Sequence, residues 1–316
     1  MCGRDWSSDV CSSDLGEGLV ELSSNKSLTY AQTLDKYYGG DTLCTAVAAQ
    51  RLGSKVGYIT RVGTDHFKEF LLDSWQLEGL DISQVKLVEG INGIYFVALP
   101  EDGDKEFSFY RKKTAATRLS VEDISEEYIK SASIVYSTGV TQALSISARE
   151  AVKKAFELAK KHNIATAYDP NYDSGLHNIE EAKEELDEII DFTDILFLNL
   201  QYDAQKLFEV ESPEKIIKHF WDKGVSTVVV KSIKDGGYHV GYAGDINFIG
   251  FWSTEIVDST GSGDTFNGAF IHAMSSGMSA VESTRLASIV AGMQCKGIGA
   301  IKSIPYKEQV YSAFYG

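Results

Sequence analysis

The chain has 316 residues, of which 45 are acidic and 30 are lysine or arginine, and its formal net charge is −15. So acidic a chain argues against nucleic-acid binding, and no apolar run approaches the length needed to span a membrane. Of its four cysteines, Cys44 and Cys295 lie outside the N-terminal segment discussed next and lack metal or redox spacing, so we expect a reduced, cytoplasmic protein.

The N-terminal segment, residues 1–15, does not match the rest of the chain. Residues 5–15 read like the in-frame translation of a common sequencing-library adapter. We therefore predict that residues 1–15 are an artefact of sequence assembly, and that residues 16–316 form the native domain. A short genuine N-terminus is the alternative.

The first third of the chain contains runs that predict a small β unit. Residues 94–99 and 106–111 are apolar or alternate in polarity around a turn at residues 100–104, which is typical of a hairpin. Residues 19–22 and 30–38 are candidate partner strands. We expect exposed aromatic side chains on this unit, packing either a dimer interface or a small local core; they are Tyr37, Tyr38, Tyr95, Phe107 and Phe109.

From residue 134 onward, apolar β-branched runs alternate with amphipathic helical stretches. Strands are predicted over residues 134–137, 164–168, 195–198 and 227–230. Helices are predicted over residues 147–161, 179–190 and 213–223. This alternation indicates an α/β fold in which helices cover both faces of a parallel sheet.

The most informative segment is Asp258–Phe266, just before a helix-compatible run at residues 266–275. Gly261 and Gly263 leave backbone N–H groups uncovered at the start of a helix, where the helix dipole also favours an anion. Asp264 is unexpected there, because its carboxylate repels the same anion. It either takes a proton from a hydroxyl that attacks phosphorus or is an ordinary helix cap. The P-loop and dinucleotide glycine patterns are both absent.

These residues resemble a family signature. Residues 258–266 are close to the D-T-x-G-A-G-D-x-F of the ribokinase-like sugar kinases (the phosphofructokinase-B, or PfkB, family), with Ser262 in place of alanine. A second family signature matches residues 39–48, where Cys44 replaces the usual asparagine. The resemblance runs from about residue 16 to the end of the chain.

The resemblance implies a ribokinase-like three-layer α/β/α sandwich with a mostly parallel central sheet and a small β-strand lid within about residues 19–38 and 94–111. A homodimer through this lid is one implication. Another is a buried first strand ending near residues 16–18, most of which the adapter-like segment overwrites. Losing that strand would expose backbone groups and apolar surface, so we expect lowered stability unless Val10–Leu15 replaces it.

The resemblance also implies an ATP-dependent carbohydrate kinase. Asp264 would be the general base, and the N–H groups of Gly261, Ser262 and Gly263 would stabilise the transferring γ-phosphoryl group. Mg²⁺ would bridge the nucleotide phosphates, mostly through water and phosphate oxygens.

Nucleotide and cation positions are implied with departures from the family pattern. The family loop K-x-G-x-x-G corresponds to residues 231–236, which lack the middle glycine, and the family's N-x-x-E places Leu200 where asparagine is usual. Asp203 either orders Mg²⁺-bound waters or is a helix-starting acid. The candidate nucleotide ligands are Lys231, Ser232, Gly236, Gly261, Gly263 and Ser288. The candidate ligands of a monovalent cation such as K⁺ are Asp258, Thr260 and Ser303.

The implied sugar-binding residues most resemble those of 2-keto-3-deoxygluconate kinases. Asp41 can bind sugar hydroxyls, and Arg111 can hold a carboxylate in two-point geometry. Asp173, however, stands where such kinases carry an arginine, and it would repel a sugar acid. The full set is Gly39, Gly40, Asp41, Cys44, Tyr95, Phe109, Arg111, Asn171 and Asp173.

We therefore predict transfer of the γ-phosphoryl group of ATP to a primary hydroxyl of a keto-deoxy sugar acid, with 2-keto-3-deoxygluconate giving its 6-phosphate. One alternative is a kinase for a neutral sugar such as fructose or ribose, or for a nucleoside. An alternative of another class is a non-catalytic regulator that binds sugar or nucleotide. In every case the partner is a small molecule, and neither a nucleic acid nor a membrane.

Overall fold

The structure is a computed structural model that describes residues 10–100 and 105–316. Apart from Pro100, the predicted hairpin turn lies outside the described residues. The strands of the described part are β1 (Val10–Leu15), β2 (Leu19–Ser24), β3 (Asp35–Gly39), β4 (Val56–Gly63), β5 (Val85–Val88), β6 (Gly93–Ala98), β7 (Glu106–Tyr110), β8 (Ala132–Thr138), β9 (Ala165–Asp169), β10 (Ile195–Asn199), β11 (Thr227–Ser232), β12 (Gly237–Tyr242) and β13 (Asp245–Gly250).

The helices lie between these strands and at the C-terminal end. They are α1 (Asp41–Leu52), α2 (Lys68–Leu77), α3 (Glu126–Ser131), α4 (Gly139–Gln142), α5 (Ile146–Lys161), α6 (Ile179–Asp187), α7 (Gln205–Phe208), α8 (Pro213–Asp222), α9 (Ser262–Ser275), α10 (Ala280–Gln294) and α11 (Lys307–Tyr315). A π-helical turn, Leu200–Ala204, connects β10 to α7. No helix in the described part is both long enough and apolar enough to cross a membrane.

The described residues form one large sheet with the strand order β13-β12-β11-β10-β9-β8-β1-β4-β5. Its strands are parallel from β11 to β5, and β12 runs antiparallel to both of its neighbours. Alternate residues of each strand pack on opposite faces, as the two-residue period of a strand requires. In β10, Leu196 and Leu198 face the core beneath α5 and α8, whereas Ile195 and Phe197 face α9 and α10. The predicted fold class is confirmed.

The boundaries predicted for the βα units agree with the structure to within a few residues. The helix predicted over residues 147–161 is α5, which begins one residue earlier because Ser145 caps it through the N–H of Ala148. The helix predicted at residues 266–275 begins four residues earlier, at Ser262. Gly261 precedes it with φ of 70°, a left-handed conformation that favours glycine.

A second, four-stranded sheet has the order β3-β2-β6-β7 and contains only residues from the stretch Leu19–Tyr110. Its strand β3 begins at Asp35, later than the predicted residue 30, because residues 27–31 form a turn closed by hydrogen bonds to the carbonyl of Ser27. The prediction that Tyr95 is exposed is wrong, since its ring packs with Leu19 and Val97 and stacks on Phe109. Phe107 and Phe109 are exposed. We call this sheet the lid.

Strand β1 comes from the adapter-like segment, yet it lies between β8 and β4 and pairs with both. Val10–Leu15 therefore replaces the expected first strand in its backbone hydrogen bonding. Three of its side chains suit the position poorly. Ser12, Ser13 and Asp14 are buried, and no hydrogen bond of normal geometry reaches the carboxylate oxygens of Asp14 in the described part of the chain. An interior aspartate without donors destabilises the folded state.

Asp14→Asn should stabilise the protein by an amount that grows with pH. Burial raises the pKa of Asp14 to about 8, so the folded state binds more protons than the unfolded state between about pH 4 and pH 8. The free energy of unfolding of the parent chain therefore falls as pH rises through this window, by on the order of 4 kcal/mol at pH 7. Denaturant unfolding at pH 5 and pH 8 measures the difference. Asp73→Asn, on the exposed face of α2, is the control, and an equal gain from Asp14→Asn at both pH values would contradict the prediction.

Candidate active site

The candidate site lies at the carboxyl ends of the parallel strands, where an open α/β sheet places its binding crevice. Thr138 ends β8, Asp169 ends β9, Asn199 ends β10 and Lys231 is the penultimate residue of β11. The N-termini of α1 and α9 approach this edge from one face of the sheet, and the lid covers it. Two cavities open here.

The larger cavity has a volume of about 360 Å³ and lies between the lid and the sheet. It contains every predicted sugar-binding residue except Gly39, whose backbone instead abuts the hydroxyl of Tyr95. Its lining also includes residues that the sequence analysis had not assigned to sugar binding. Those unassigned residues are Leu19, Phe107, Val140, Tyr172, Ser174, Lys206, Thr260, Gly261, Asp264 and Ala300.

The smaller cavity has a volume of about 210 Å³ and lies against the start of α9. Residues 259 and 261–264, which we call the signature turn, form one wall. The other wall consists of polar residues from the strand ends and the segments that follow them. That wall is lined by Asp169, Asn171, Tyr172, Asn199, Tyr202, Asp203 and Lys231.

The two cavities meet at Asp264. This residue lines both of them, as do Gly261, Asn171 and Tyr172. Asp264 is the third residue of α9, not its cap, and Gly261 occupies the cap position. Asn171 Nδ2 donates a hydrogen bond to Asp264 Oδ1 at 3.4 Å. A group bound in the larger cavity therefore faces a group in the smaller one across this carboxylate.

The surroundings of Asp264 make it a stronger base than an exposed aspartate. Burial raises its pKa well above the usual value, and the negative charges of Asp41 and Asp169 raise it further, while Lys231 opposes the rise. Its position is fixed through the backbone, since Thr45 Oγ1 of α1 donates to the Asp264 carbonyl at 3.0 Å.

Within the signature turn, the position of Gly261 is the one that requires glycine. A Cβ atom on Gly261 would lie 3.0 Å from the Cβ of Ala300 and 3.3 Å from Cys44 Sγ, and the left-handed backbone would also strain any larger residue. A Cβ on Gly263 would lie 3.4 Å from Lys231 Nζ. The N–H groups at the start of α9 therefore stay accessible to an anion with a lysine ammonium beside them.

Lys231 connects the turn to the sheet. Its ammonium donates to Asp169 Oδ2 at 2.8 Å and to the Gly263 carbonyl at 3.3 Å. Asn267, one turn along α9 from Asp264, donates to the same Asp169 oxygen at 2.8 Å. Asp169 is thus an anchor that orients Lys231, a role the sequence analysis did not assign to it.

The π-helical turn corrects the alignment of the family's N-x-x-E motif. Leu200, aligned with the usual asparagine, is buried in the core, whereas Asn199 lines the smaller cavity. The wider turn accommodates one extra residue and brings Asp203 back beside Asn199, whose N–H donates to Asp203 Oδ2 at 2.6 Å. Asp203 also accepts from the N–H of Tyr172 at 3.0 Å, so it is not simply a helix-starting acid. Burial and the charge of Asp169 raise its pKa to about 7.

The described residues offer few side chains that could bind a metal ion at this site. Among the described residues, no cluster of three or more His, Cys, Asp or Glu side chains is arranged to hold a metal directly. Asp203 supplies a carboxylate at the wall of the smaller cavity, whereas the amide oxygen of Asn199 already accepts from the N–H groups of Gln201 at 2.9 Å and Tyr202 at 3.0 Å. This donor set fits Mg²⁺ that is held mainly by phosphate oxygens and water.

The remaining predicted nucleotide residues lie farther along the sheet edge. After Ser232, residues 233–236 form a turn in which Ser232 Oγ donates to Asp235 Oδ2 at 2.8 Å and Gly236 has φ of 71°. Ile233, at the position of the lost glycine, is exposed. Ser288 lines a separate groove with Ile249 and Trp252, and its hydroxyl is already bonded to the Trp252 N–H and the Gly250 carbonyl.

On the larger cavity's inner wall, Asp41 begins α1 and accepts a hydrogen bond from Thr138 Oγ1 at 2.5 Å. Gly40 has φ of 133°, and a Cβ there would clash with the Glu17 carbonyl. Cys44, one turn along α1, is buried in the position where the family usually has asparagine. Asp41 is therefore presented to the cavity by a helix start that only glycine can precede.

Arg111 lines the larger cavity, but its charge is already paired. Its Nε donates to Glu17 Oε2 at 2.8 Å, Thr114 bonds the other carboxylate oxygen, and both partners of the ion pair are buried. Burial raises the pKa of Glu17 and the paired Arg111 opposes that rise. Glu17 was missed in the sequence; an acid between two glycines after the first strand was its only signal. Arg111 can still donate to a ligand, but without a full unpaired charge.

Asp173 lines the same cavity, as predicted, and its Oδ1 accepts from the N–H of Gly175 at 2.8 Å. Lys206, which the sequence analysis did not select, lines the cavity as well and extends from α7 near the rings of Tyr172 and Tyr202. Nothing in its local sequence marks it, because only the fold brings α7 to this wall.

The three candidate ligands of a monovalent cation are not arranged around an open site. Asp258 and Thr260 are adjacent, but the hydroxyl of Ser303 is bonded to the Ile298 carbonyl at 2.9 Å. The ammonium of Lys105, at the edge of the lid, contacts both Asp258 and Thr260. With this ammonium in place, the same oxygens do not fit a free monovalent ion.

Comparisons with known proteins agree with this geometry. Residues 14–307 match the sequence profile of the pfkB family carbohydrate kinases. The chain is 31% identical over 302 residues to a 5-dehydro-2-deoxygluconokinase of Clostridium beijerinckii, covering 92% of this chain and 87% of that protein. It is 32% identical over 270 residues to a 2-dehydro-3-deoxygluconokinase of Thermoproteus tenax, covering 84% and 82%.

Among solved structures, the chain is similar to a protein from E. coli that carries the provisional name ribokinase II, in complex with ATP and Mg²⁺. The TM-score is 0.87 at 25% sequence identity, and the match covers 97% of this chain and 99% of that chain. With the family profile spanning nearly the whole chain, we conclude that this protein belongs to the pfkB family of carbohydrate kinases, which are phosphotransferases with an alcohol group as acceptor.

Proposed function

We propose that the protein is an ATP-dependent kinase that phosphorylates a primary hydroxyl of a keto-deoxy sugar acid. The observation that carries the proposal is the position of Asp264, which lines both cavities where they meet. A sugar in the larger cavity and a γ-phosphoryl group in the smaller one would then face each other across a base. We assign the larger cavity to the sugar and the smaller one to the transferring phosphate on this basis.

The proposed reaction uses Asp264 to accept the proton of the attacking hydroxyl. The hydroxyl oxygen forms a bond to the γ-phosphorus, the bond from that phosphorus to the β,γ-bridging oxygen breaks, and ADP leaves. The raised pKa of Asp264 suits this role, because a base of higher pKa takes up the proton more readily as attack proceeds.

Charge on the transferring group would be stabilised by the N–H groups of the signature turn and by the Lys231 ammonium. Asp203 would orient waters around Mg²⁺, which would supply positive charge to the nucleotide phosphates when bound. For the rest of the nucleotide, Ser232, Gly236 and Ser288 stay candidates. The hydroxyl of Ser288 is already hydrogen-bonded to the backbone. This favours a packing contact between Ser288 and the adenine ring over a hydrogen bond.

The proposed acceptor is 2-keto-3-deoxygluconate or an isomeric keto-deoxy acid. Two relatives that match most of this chain are named for such acids, one for the 2-dehydro-3-deoxy compound and one for the 5-dehydro-2-deoxy compound. Asp41 would bind sugar hydroxyls, with Tyr95 and Phe109 forming the lid side. Lys206 offers the acid carboxylate an ammonium group on the wall where Asp173 replaces the family arginine.

A neutral sugar is the second candidate, and a specific observation favours it. Arg111 is neutralised by Glu17, and Asp173 adds negative charge to the cavity.

The lid homodimer also stays a proposal, supported by the exposed rings of Phe107, Phe109 and Tyr110. A cytoplasmic location is supported by Cys44 and Cys295, which are both free thiols.

Asp264→Asn should lower kcat by about a hundredfold or more, the scale of a lost general base, with little change in melting temperature. For the parent chain, kcat/KM should fall on the acid side through a pKa above the usual range of an aspartate, because the base must be deprotonated to act. A coupled assay of ADP release, carried out across pH on the parent chain and on Asp264→Asn, tests both statements. Asp73→Asn is the control for the substitution itself, and near-normal turnover of Asp264→Asn would refute the assignment.

A substrate panel with Lys206→Gln distinguishes the two candidate acceptors. With Mg-ATP we expect turnover on 2-keto-3-deoxygluconate or 5-keto-2-deoxygluconate, and a KM for the acid that rises about tenfold or more in Lys206→Gln, the scale of a lost charge-assisted hydrogen bond. Lys218→Gln, an exposed lysine of α8, is the control. If the protein phosphorylates only fructose, ribose or a nucleoside, and Lys206→Gln does not change that activity, the acceptor is a neutral compound and the proposal of a sugar acid is wrong.

Arg111→Ala is a less direct test of the acceptor. Removing this side chain leaves Glu17 buried without its ion-pair partner, which costs folding stability whatever the substrate is. A higher KM in that variant would therefore not separate a lost carboxylate contact from a damaged lid.

A further inference from the structure

Lys105 connects two parts of the site that are far apart in the sequence. It lies immediately before β7, the lid strand that carries Phe107 and Phe109 into the larger cavity. Its ammonium is 2.5 Å from Asp258 Oδ1 and also contacts Thr260 Oγ1. Thr260 directly precedes Gly261, the residue that caps α9.

The acceptor of this contact is built into the protein. The Asp258 side chain is 2% exposed, whereas that of Lys105 is 26% exposed. Asp258 Oδ1 also accepts from the Thr260 N–H at 2.9 Å, and Oδ2 accepts from the Gly299 N–H at 2.9 Å. A buried carboxylate thus ties together residue 260, the loop at residue 299 and the lid, and it needs a cation to offset its burial.

Among the residues that the structure describes, few other charged groups lie near this contact. Glu21 of β2 in the lid is buried, accepts a hydrogen bond from the Tyr95 hydroxyl, and adds negative charge near Asp258 and Lys105. Burial alone would raise the pKa of Asp258, but the hydrogen bonds from Lys105 and Thr260 lower it below the usual value. Lys302 is bonded to Tyr37 instead. Of these groups, Lys105 is the cation that meets Asp258.

We propose that the Lys105 ammonium is the resident cation of the Asp258–Thr260 turn, where it positions the N–H groups of the signature turn and makes turnover independent of a free monovalent cation. Lys105 is a positioning residue in this account, because it acts through Thr260 and Gly261 and not on the reacting atoms. It also couples the lid to the phosphate side of the site. The inference rests on the proposed kinase activity for its kinetic part only.

The test compares the parent chain with Lys105→Ala in buffers free of K⁺, Na⁺ and NH₄⁺, with choline chloride holding the ionic strength constant. We expect parent kcat to change less than twofold when KCl, NH₄Cl or methylammonium chloride replaces choline chloride. Lys105→Ala should lose at least tenfold in kcat without these cations and regain most of it when one is added. Lys26→Ala, which removes an exposed lysine beside β2 in the same lid, should behave like the parent.

Thermal unfolding without sugar or nucleotide gives a second measurement that needs no turnover. An ion that binds only the folded state raises the melting temperature by mass action. We expect K⁺ to stabilise Lys105→Ala relative to choline, and not to stabilise the parent chain. The proposal is wrong if the parent requires or is stabilised by K⁺, or if no cation restores Lys105→Ala. Absence of turnover on every sugar would instead refute the kinase proposal and leave the unfolding result valid.

Discussion

Unbalanced negative charge is the constraint on which the rest of the site depends. Asp41, Asp169, Asp203 and Asp264 converge at the carboxyl ends of the strands, and Lys231 directly neutralises only Asp169 among them. Burial and mutual repulsion raise the pKa of Asp41, Asp203 and Asp264. An aspartate held in such a field is reluctant to stay ionised, which is the property that a proton acceptor needs and that a structural cap does not.

The position of Asp264 relative to Asp41 is set by the packing of two helices. α1 carries Asp41 and Cys44, and α9 carries Asp264. At Gly268 of α9, a Cβ atom would clash with the carbonyl of Thr45 in α1, so the two helices are in backbone contact. The hydrogen bond from Thr45 Oγ1 to the Asp264 carbonyl lies in the same contact. The helix proposed to bind the acceptor and the helix that carries the proposed base are therefore held together, which is the preorganisation that phosphoryl transfer requires.

Local patterns in the sequence were sufficient to predict the βα units and the signature turn. The periods of strands and helices and the conformational freedom of glycine depend on residues that are neighbours in the sequence. They were not sufficient where the fold joins distant segments. The π-helical turn at Leu200–Ala204 moves Asn199 into the position that a gapless alignment gave to Leu200. Whether the adapter-like Val10–Leu15 replaces the first strand was left open by the sequence. It does so in its backbone pairing with β4 and β8, while the buried carboxylate of Asp14 lacks a hydrogen-bond donor in the described part of the chain.

The choice of acceptor is the property that depends most on residues that are distant in the sequence and that only the fold brings together. Besides Asp41 and Asp264, which also line it, the effective charge of the larger cavity depends on Glu17, Arg111, Asp173 and Lys206. These four residues come from the turn after β1, the end of the lid, the turn after β9 and α7. Arg111 alone suggests an acid, and Asp173 alone suggests a neutral sugar. With Arg111 held by Glu17, a carboxylate in the cavity would depend on Lys206, whose exposed and flexible side chain loses conformational entropy on binding. Selection for an acid on this scaffold would therefore appear in the KM of the sugar, while kcat stays under the control of Asp264 and the signature turn.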